Sequence, residues 1–256
     1  MGLRSAVSSG TLVDMRAPAL MVVRVAAPRL ANTLSHARTT DEVGRVGEGA
    51  FWLMGGLYHE GSRRLQERFD TVRLADRIEE RRMRETIDED DRAFIESADM
   101  FFLATADADG RPQCSYKGGD PGFVSVVDER TIAFPSWDGN GMYLSAGNVL
   151  VNPHVGLLFI DFERRSRLRL NGVASIDDAD PLLGVYPETQ LVVRVRATEV
   201  FPNCPRYIHQ YRLVERSRFT PHEDSATPAP AWKRLEWSHD VLPADDPALD
   251  PGTEIL

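Results

Sequence analysis

A chain of 256 residues, 42% of them hydrophobic and 27% charged, carries enough apolar side chains to bury the core of one domain and leaves room for extensions. Its net charge of -9, from 39 acidic against 30 basic residues, argues against general binding to nucleic acid or to an anionic membrane surface. Two distant cysteines, Cys114 and Cys204, and six histidines without ligand spacing argue against a disulfide framework and a metal site, and fit a reducing cytoplasm.

Residues 1–48 show no sustained periodicity, end in a glycine-rich stretch, and read as a poorly ordered leader. Their longest apolar run, 17–27, contains Pro18 and is broken by Arg24, so it is too short and too interrupted to span a membrane. A helical extension is expected over 49–98. Leu65, Phe69, Val72, Ala75 and Ile78 recur at helical spacing among charges, with a break near Asp70 and Thr71. A second helix is announced by Thr86 and Glu89, three apart as in a capping box, with Asp88, Asp90 and Asp91 near its positive end. Phe94, Ile95 and Ala98 are placed to pack against the strands that begin immediately after this helix.

Residues 100–176 read as a β-meander interrupted by one helix. Strands are expected at 101–105, 113–117, 122–127 and 131–134, separated by glycine, proline and aspartate. The loop 137–141 opens a helix with Asn140 as its N-cap and Met142, Ala146, Val149 and Leu150 at apolar spacing. Asn152 and Pro153 end it, and strands return at 155–160 and 168–176. A short helix near Leu183 precedes a strand at 191–200, whose Val193, Val195 and Ala197 alternate with Arg194, Arg196 and Thr198. A proline-rich crossing leads to a helical stretch at 207–214. The tail from Pro221 reads as irregular, docked through Trp232 and Trp237.

Several pieces in order resemble the flavin-binding split barrel of the pyridoxamine 5'-phosphate oxidase family. They are Phe102-Leu103-Ala104-Thr105 before Gly110-Arg111-Pro112, then Ser115-Tyr116-Lys117-Gly118-Gly119, Asp138-Gly139-Asn140, Asn152-Pro153-His154-Val155-Gly156-Leu157-Leu158-Phe159, and Leu170-Asn171-Gly172. The resemblance implies a mainly β fold with flanking helices: an FMN-binding split β-barrel over 99–215, behind a helical extension and ahead of an irregular tail at 216–256. It also implies FMN as cofactor and a homodimer with the flavin at its interface, the second copy covering apolar strand faces at 123–134 and 155–160.

Ser115 and Lys117, two apart, leave one face of a strand, and a hydroxyl beside a point charge suits a phosphate. Tyr116 and Gly118 share that strand. Asp138, Gly139 and Asn140 form the loop before a helix start whose free amides attract anions. Arg167 matches the family's polar cofactor contact on a later strand, and Arg206 lies in the segment that closes over the flavin. The chain departs from the family where a Ser-Arg-Lys run is expected: between Lys117 and Arg164 it has no lysine or arginine except Arg130. No catalytic residue stands out, since hydride transfer to a flavin demands none. The readings left open are an FMN-dependent oxidoreductase acting on a small molecule, a flavin- or haem-binding module without turnover, and a deazaflavin-dependent reductase of the same fold. Oxidation of vitamin B6 phosphates is not expected, because the acidic tail after Lys233 and Arg234 would repel a second phosphate.

Overall fold

The computed structural model describes residues 57–256, so the leader expected over 1–48 lies outside the described residues. Helices α1 (Glu60–Arg68) and α2 (Val72–Arg82) are separated where expected, at Asp70, which turns the chain with a φ of 52°. Their apolar stripe is real but largely uncovered: Leu65, Phe69, Leu74 and Ile78 are exposed, and only Ala75 is buried. Helix α3 (Glu89–Glu96) starts two residues later than its sequence signal. Asp88, not Thr86, is the N-cap, and Asp88 and Asp91 accept from each other's backbone N–H. Aspartate fills both capping positions, and Arg84 pairs with Asp88 and Asp91 to hold them there.

Seven strands complete the sheet: β1 (Met100–Ala106), β2 (Pro112–Gly118), β3 (Ser125–Val126), β4 (Thr131–Ser136), β5 (His154–Asp161), β6 (Ser166–Ile176) and β7 (Leu191–Pro202), with helix α4 (Leu144–Val151) between β4 and β5. All pair antiparallel in the order β2-β1-β5-β6-β7-β4-β3. The sheet curls: Phe101 on β1 meets Phe134 on β4 with ring centroids 5.0 Å apart, although three strands separate them in the sheet. Phe101, Phe134, Phe159, Leu103, Ile132, Leu157, Leu170 and Val195 fill the concave side, and Ile95 of α3 is fully buried in the same cluster. This mostly β, curled antiparallel sheet with flanking helices is the architecture of a split barrel.

One bend in β6 depends on a single glycine. Register shifts between Asn171 and Gly172, and a Cβ on Gly172 would stand 2.4 Å from the Arg196 carbonyl oxygen. Elsewhere tertiary contacts overrule local pattern. The strand expected at 122–127 shrinks to two residues, because Gly119, Gly122 and Phe123 donate to Asp99, Glu96 and Asp120 instead of to a ladder. The helix expected at 207–214 does not form. Tyr207 is left-handed at φ 71°, and Tyr211 and Leu213 spend their N–H groups on the Phe162 carbonyl and the Glu163 carboxylate. In the tail, Trp232 and Trp237 stack on each other at 5.9 Å, and Trp237 stays exposed. The anchor is the lysine between them, Lys233, which is 3% exposed. Among the described residues no helix is long and apolar enough to cross a membrane.

Candidate functional site

The β1–β2 register sets Ser115 opposite Leu103 and Lys117 opposite Phe101, so both polar side chains share the face of core residues. β2 is an edge strand, however, and what covers this face of it is α4. The helix turns a polar stripe towards the strands. Ser145 Oγ lies 3.1 Å from Ser115 Oγ, Asn148 donates to Thr105 Oγ1 at 2.9 Å, and Asn152 donates to the Asp107 carbonyl. Of the apolar residues expected to pack the helix, Val149 is buried while Met142 and Leu150 are 60% and 72% exposed. Ser145, Asn148 and Asn152 occupy one face at intervals of three and four, a signal present in the sequence and outweighed there by the apolar residues.

Helix α4 begins without a side-chain cap. Tyr143 takes the N-cap position in a left-handed conformation, and Asn140, the expected cap, instead accepts from the Met142 N–H at 3.1 Å. The start of α4 therefore carries no side-chain hydrogen bond from its N-cap residue. Lys117 is half-buried on the same face of β2 as Ser115, and burial pulls its pKa below the ordinary lysine value. No carboxylate among the described residues pairs with it.

The other residues singled out in the sequence lie elsewhere. Tyr116 is on the opposite face of β2, edge-on to Phe102 at 6.1 Å, and lines a cleft of about 730 Å³ with Phe94, Met100, Phe162 and Tyr211. Gly118 and Gly119 make room for aromatic rings: added Cβ atoms would meet Tyr116 at 2.6 Å and Phe123 at 2.5 Å. Arg167 faces the same side as Tyr116, opposite Ile160, with its Nε buried and unbonded. Arg206 is exposed on the stretch after β7, and Gly139 is exposed in its loop. Asp138 accepts from Lys233 Nζ at 2.5 Å, and the same ammonium donates to Asp246 at 2.7 Å. Within one copy the fold thus gathers Ser115, Lys117 and the start of α4, and leaves Tyr116 and Arg167 behind the sheet. Sequence reasoning missed Ser145, Asn148 and Lys233. Among the described residues no histidine, cysteine and carboxylate cluster is arranged to hold a metal ion.

The family model described as pyridoxamine 5'-phosphate oxidase matches residues 87–212. Among solved structures, the chain is similar to HupZ of Group A Streptococcus, at 19% identity over 45% of this chain and 93% of that one, with a TM-score of 0.38. It is similar to the haem storage protein HutZ of Vibrio cholerae at 21% identity, 46% and 91% coverage and a TM-score of 0.32. An FMN-binding protein of Syntrophomonas wolfei matches at 11% identity, 56% and 97% coverage and a TM-score of 0.35. No curated protein sequence matches the chain.

Proposed function

Residues 87–212 belong to the pyridoxamine 5'-phosphate oxidase-like split-barrel family, and on that premise we propose that the protein binds FMN and is a flavin-dependent oxidoreductase acting on a small organic molecule. The observation that carries this reading is Lys117: a half-buried cation without a carboxylate partner among the described residues, beside the Ser115–Ser145 hydroxyl pair and an uncapped helix start. A desolvated, unpaired lysine is unfavourable unless an anion neutralises it, and hydroxyls with free amides supply the directional bonds a phosphate accepts. These groups fit the phosphate end of FMN without the family's Ser-Arg-Lys run. Bound FMN supplies the two-electron redox chemistry, and the chain holds and orients it.

The substrate is not a vitamin B6 phosphate in this reading. The two tail cations that the sequence offers for a second phosphate are already committed, Lys233 to Asp138 and Asp246, and Arg234 to the carbonyls of Ala248 and Asp250. The active unit is a homodimer. The strand faces at 123–134 largely turn into the chain's own core, whereas Met142, Leu144, Leu150 and Val151 around α4 stay exposed and call for a second copy. Cys114 and Cys204 are free and exposed, which fits a reducing cytoplasm.

The test is a fluorescence titration of the purified protein with FMN and with riboflavin, after its own absorption spectrum has distinguished flavin from haem or a deazaflavin. FMN should bind at micromolar concentration or tighter. Lys117→Met should weaken FMN by about 1.5–3 kcal/mol, the range for a hydrogen bond to a charged group, and leave riboflavin unaffected. No FMN quenching at micromolar concentration overturns the proposal.

A further inference from the structure

Asp138 and Lys233 stand 95 residues apart and meet at 2.5 Å. The ammonium is enclosed, with the Lys233 side chain 4% and the Asp246 side chain 5% exposed, while that of Asp138 is 51% exposed. One buried carboxylate, Asp246, already neutralises Lys233. The second reaches it from a different part of the fold, the loop joining β4 to α4. Lys233 itself is held on a closed tail. Ala229 and Ala231 donate to the Glu254 and Leu256 carbonyls, Leu256 donates back to Ala229, and Arg234 caps the carbonyls of Ala248 and Asp250.

The loop between Asp138 and α4 has two other attachments among the described residues, Trp137 at its start and, at its end, the Tyr143 hydroxyl, which donates to Gln190 Oε1 at 3.0 Å. Trp137 donates to the Pro187 carbonyl at 2.9 Å and stacks on Phe123. Beyond it Gly139, Asn140 and Gly141 are exposed, and Gly141 and Tyr143 adopt positive φ. Asp138 is therefore the point that ties to the C-terminal tail the loop leading into the helix start that brings Ser145 to Ser115, while Tyr143 ties the same loop to Gln190. We propose that Lys233 is a positioning residue: by gripping Asp138, the C-terminal tail sets the placement of the α4 N-terminus against Ser115 and Lys117, and so sets affinity for the phosphate end of the flavin. This inference rests on the FMN reading above. It also gives Asp138 the role of a tether rather than of a cofactor contact.

Asp138→Ala and Asp138→Asn remove the same charge, but asparagine keeps an oxygen that accepts from Lys233. Comparing the two isolates the tether from the electrostatic effect on a bound phosphate. FMN and riboflavin Kd values and the melting temperature are measured for both variants and for the unsubstituted protein. The alanine variant should bind FMN about fivefold or more weakly than the asparagine variant, the lower end of ordinary coupling between sites. Riboflavin affinity and melting temperature should be alike in the two, because the Lys233–Asp246 pair remains. Equal FMN affinities for the two variants overturn the inference while leaving FMN binding intact. A parallel loss of riboflavin affinity and melting temperature overturns it in favour of a merely structural contact. An unsubstituted protein that binds no FMN overturns the parent reading and this inference with it.

Discussion

Replacing Lys233 by methionine preserves most of the side chain's volume and removes its charge. The structure then leaves the Asp246 carboxylate, 5% exposed, without its cation, retaining the bond from the Ala248 N–H at 2.9 Å. Breaking a buried ion pair from one side costs about 3–5 kcal/mol, because the surviving charge stays desolvated. Asp138, half exposed, rehydrates and adds little. For a domain of this size each kcal/mol lowers the melting temperature by about 2–4 °C, so a drop of about 6–20 °C is expected in a thermal melt followed by circular dichroism. The double variant Lys233→Met/Asp246→Leu removes both charges and should recover most of the loss. The pair also has a pH signature. Burial alone would pull the Lys233 pKa down, but its hydrogen bonds to Asp138 and Asp246 outweigh that and raise it above the ordinary lysine value. Its contribution is therefore complete below that ordinary value and is lost as pH rises through the folded-state pKa. A melting temperature lowered by less than about 2 °C in the single variant would refute the reasoning, since no buried charge would then depend on Lys233.

Lys117 should give the opposite pH behaviour, because burial lowers its pKa. Stability should rise with pH between the lowered folded value and the ordinary lysine value, where the unfolded chain binds more protons, and FMN affinity should begin to fall within the same alkaline window while riboflavin affinity stays flat. A flat FMN profile up to the ordinary lysine range would detach Lys117 from the phosphate. Gly172→Ala should cost about 1–3 kcal/mol, as overpacking does, because the new Cβ meets a backbone oxygen at 2.4 Å. An unchanged urea midpoint would mean that the β6 bend yields freely.

The strands were legible where alternation and burial agree. On β7, Val193, Val195 and Ala197 are buried, and Arg194, Arg196 and Thr198 are not, as the pattern requires. The break at Asp70 and the packing of Ile95 were legible for the same reason, since spacing alone dictates a face. What failed was decided by distant partners. Nothing near Gly122 announces that its N–H goes to Glu96 at 2.8 Å, and that bond removes most of the expected strand. Ile208, Tyr211 and Val214 have helical spacing, yet the β5–β6 turn takes the donors that a helix would need. In the candidate site, the shared face of Ser115 and Lys117 was legible from strand parity. The tether at Lys233 was not, because a lysine in a proline-rich tail carries no local sign of a carboxylate 95 residues away.

That parity also limits what a single copy can do. Lys117 and Ser115 lie on the side of Phe101 and Leu103, whereas Arg167 lies opposite Ile160 on the other side of the sheet. β2 and β6 are three strand spacings apart, about 14 Å at 4.8 Å each. A flavin whose phosphate sits on Lys117 therefore meets Arg167 only if another copy presents it, and the buried, unbonded Nε of Arg167 gives that arginine reason to seek a partner. Subunit mixing tests this. Homodimers carrying Lys117→Met or Arg167→Ala should both bind FMN weakly. A mixed dimer, purified through two different tags, combines the intact Lys117 of one copy with the intact Arg167 of the other at one of its two sites. It should regain one full-affinity site per dimer. A mixed dimer no better than its parents would place both residues' effects within a single copy. Light scattering that returns the 28.6 kDa monomer mass with FMN bound would remove the second copy from the site altogether.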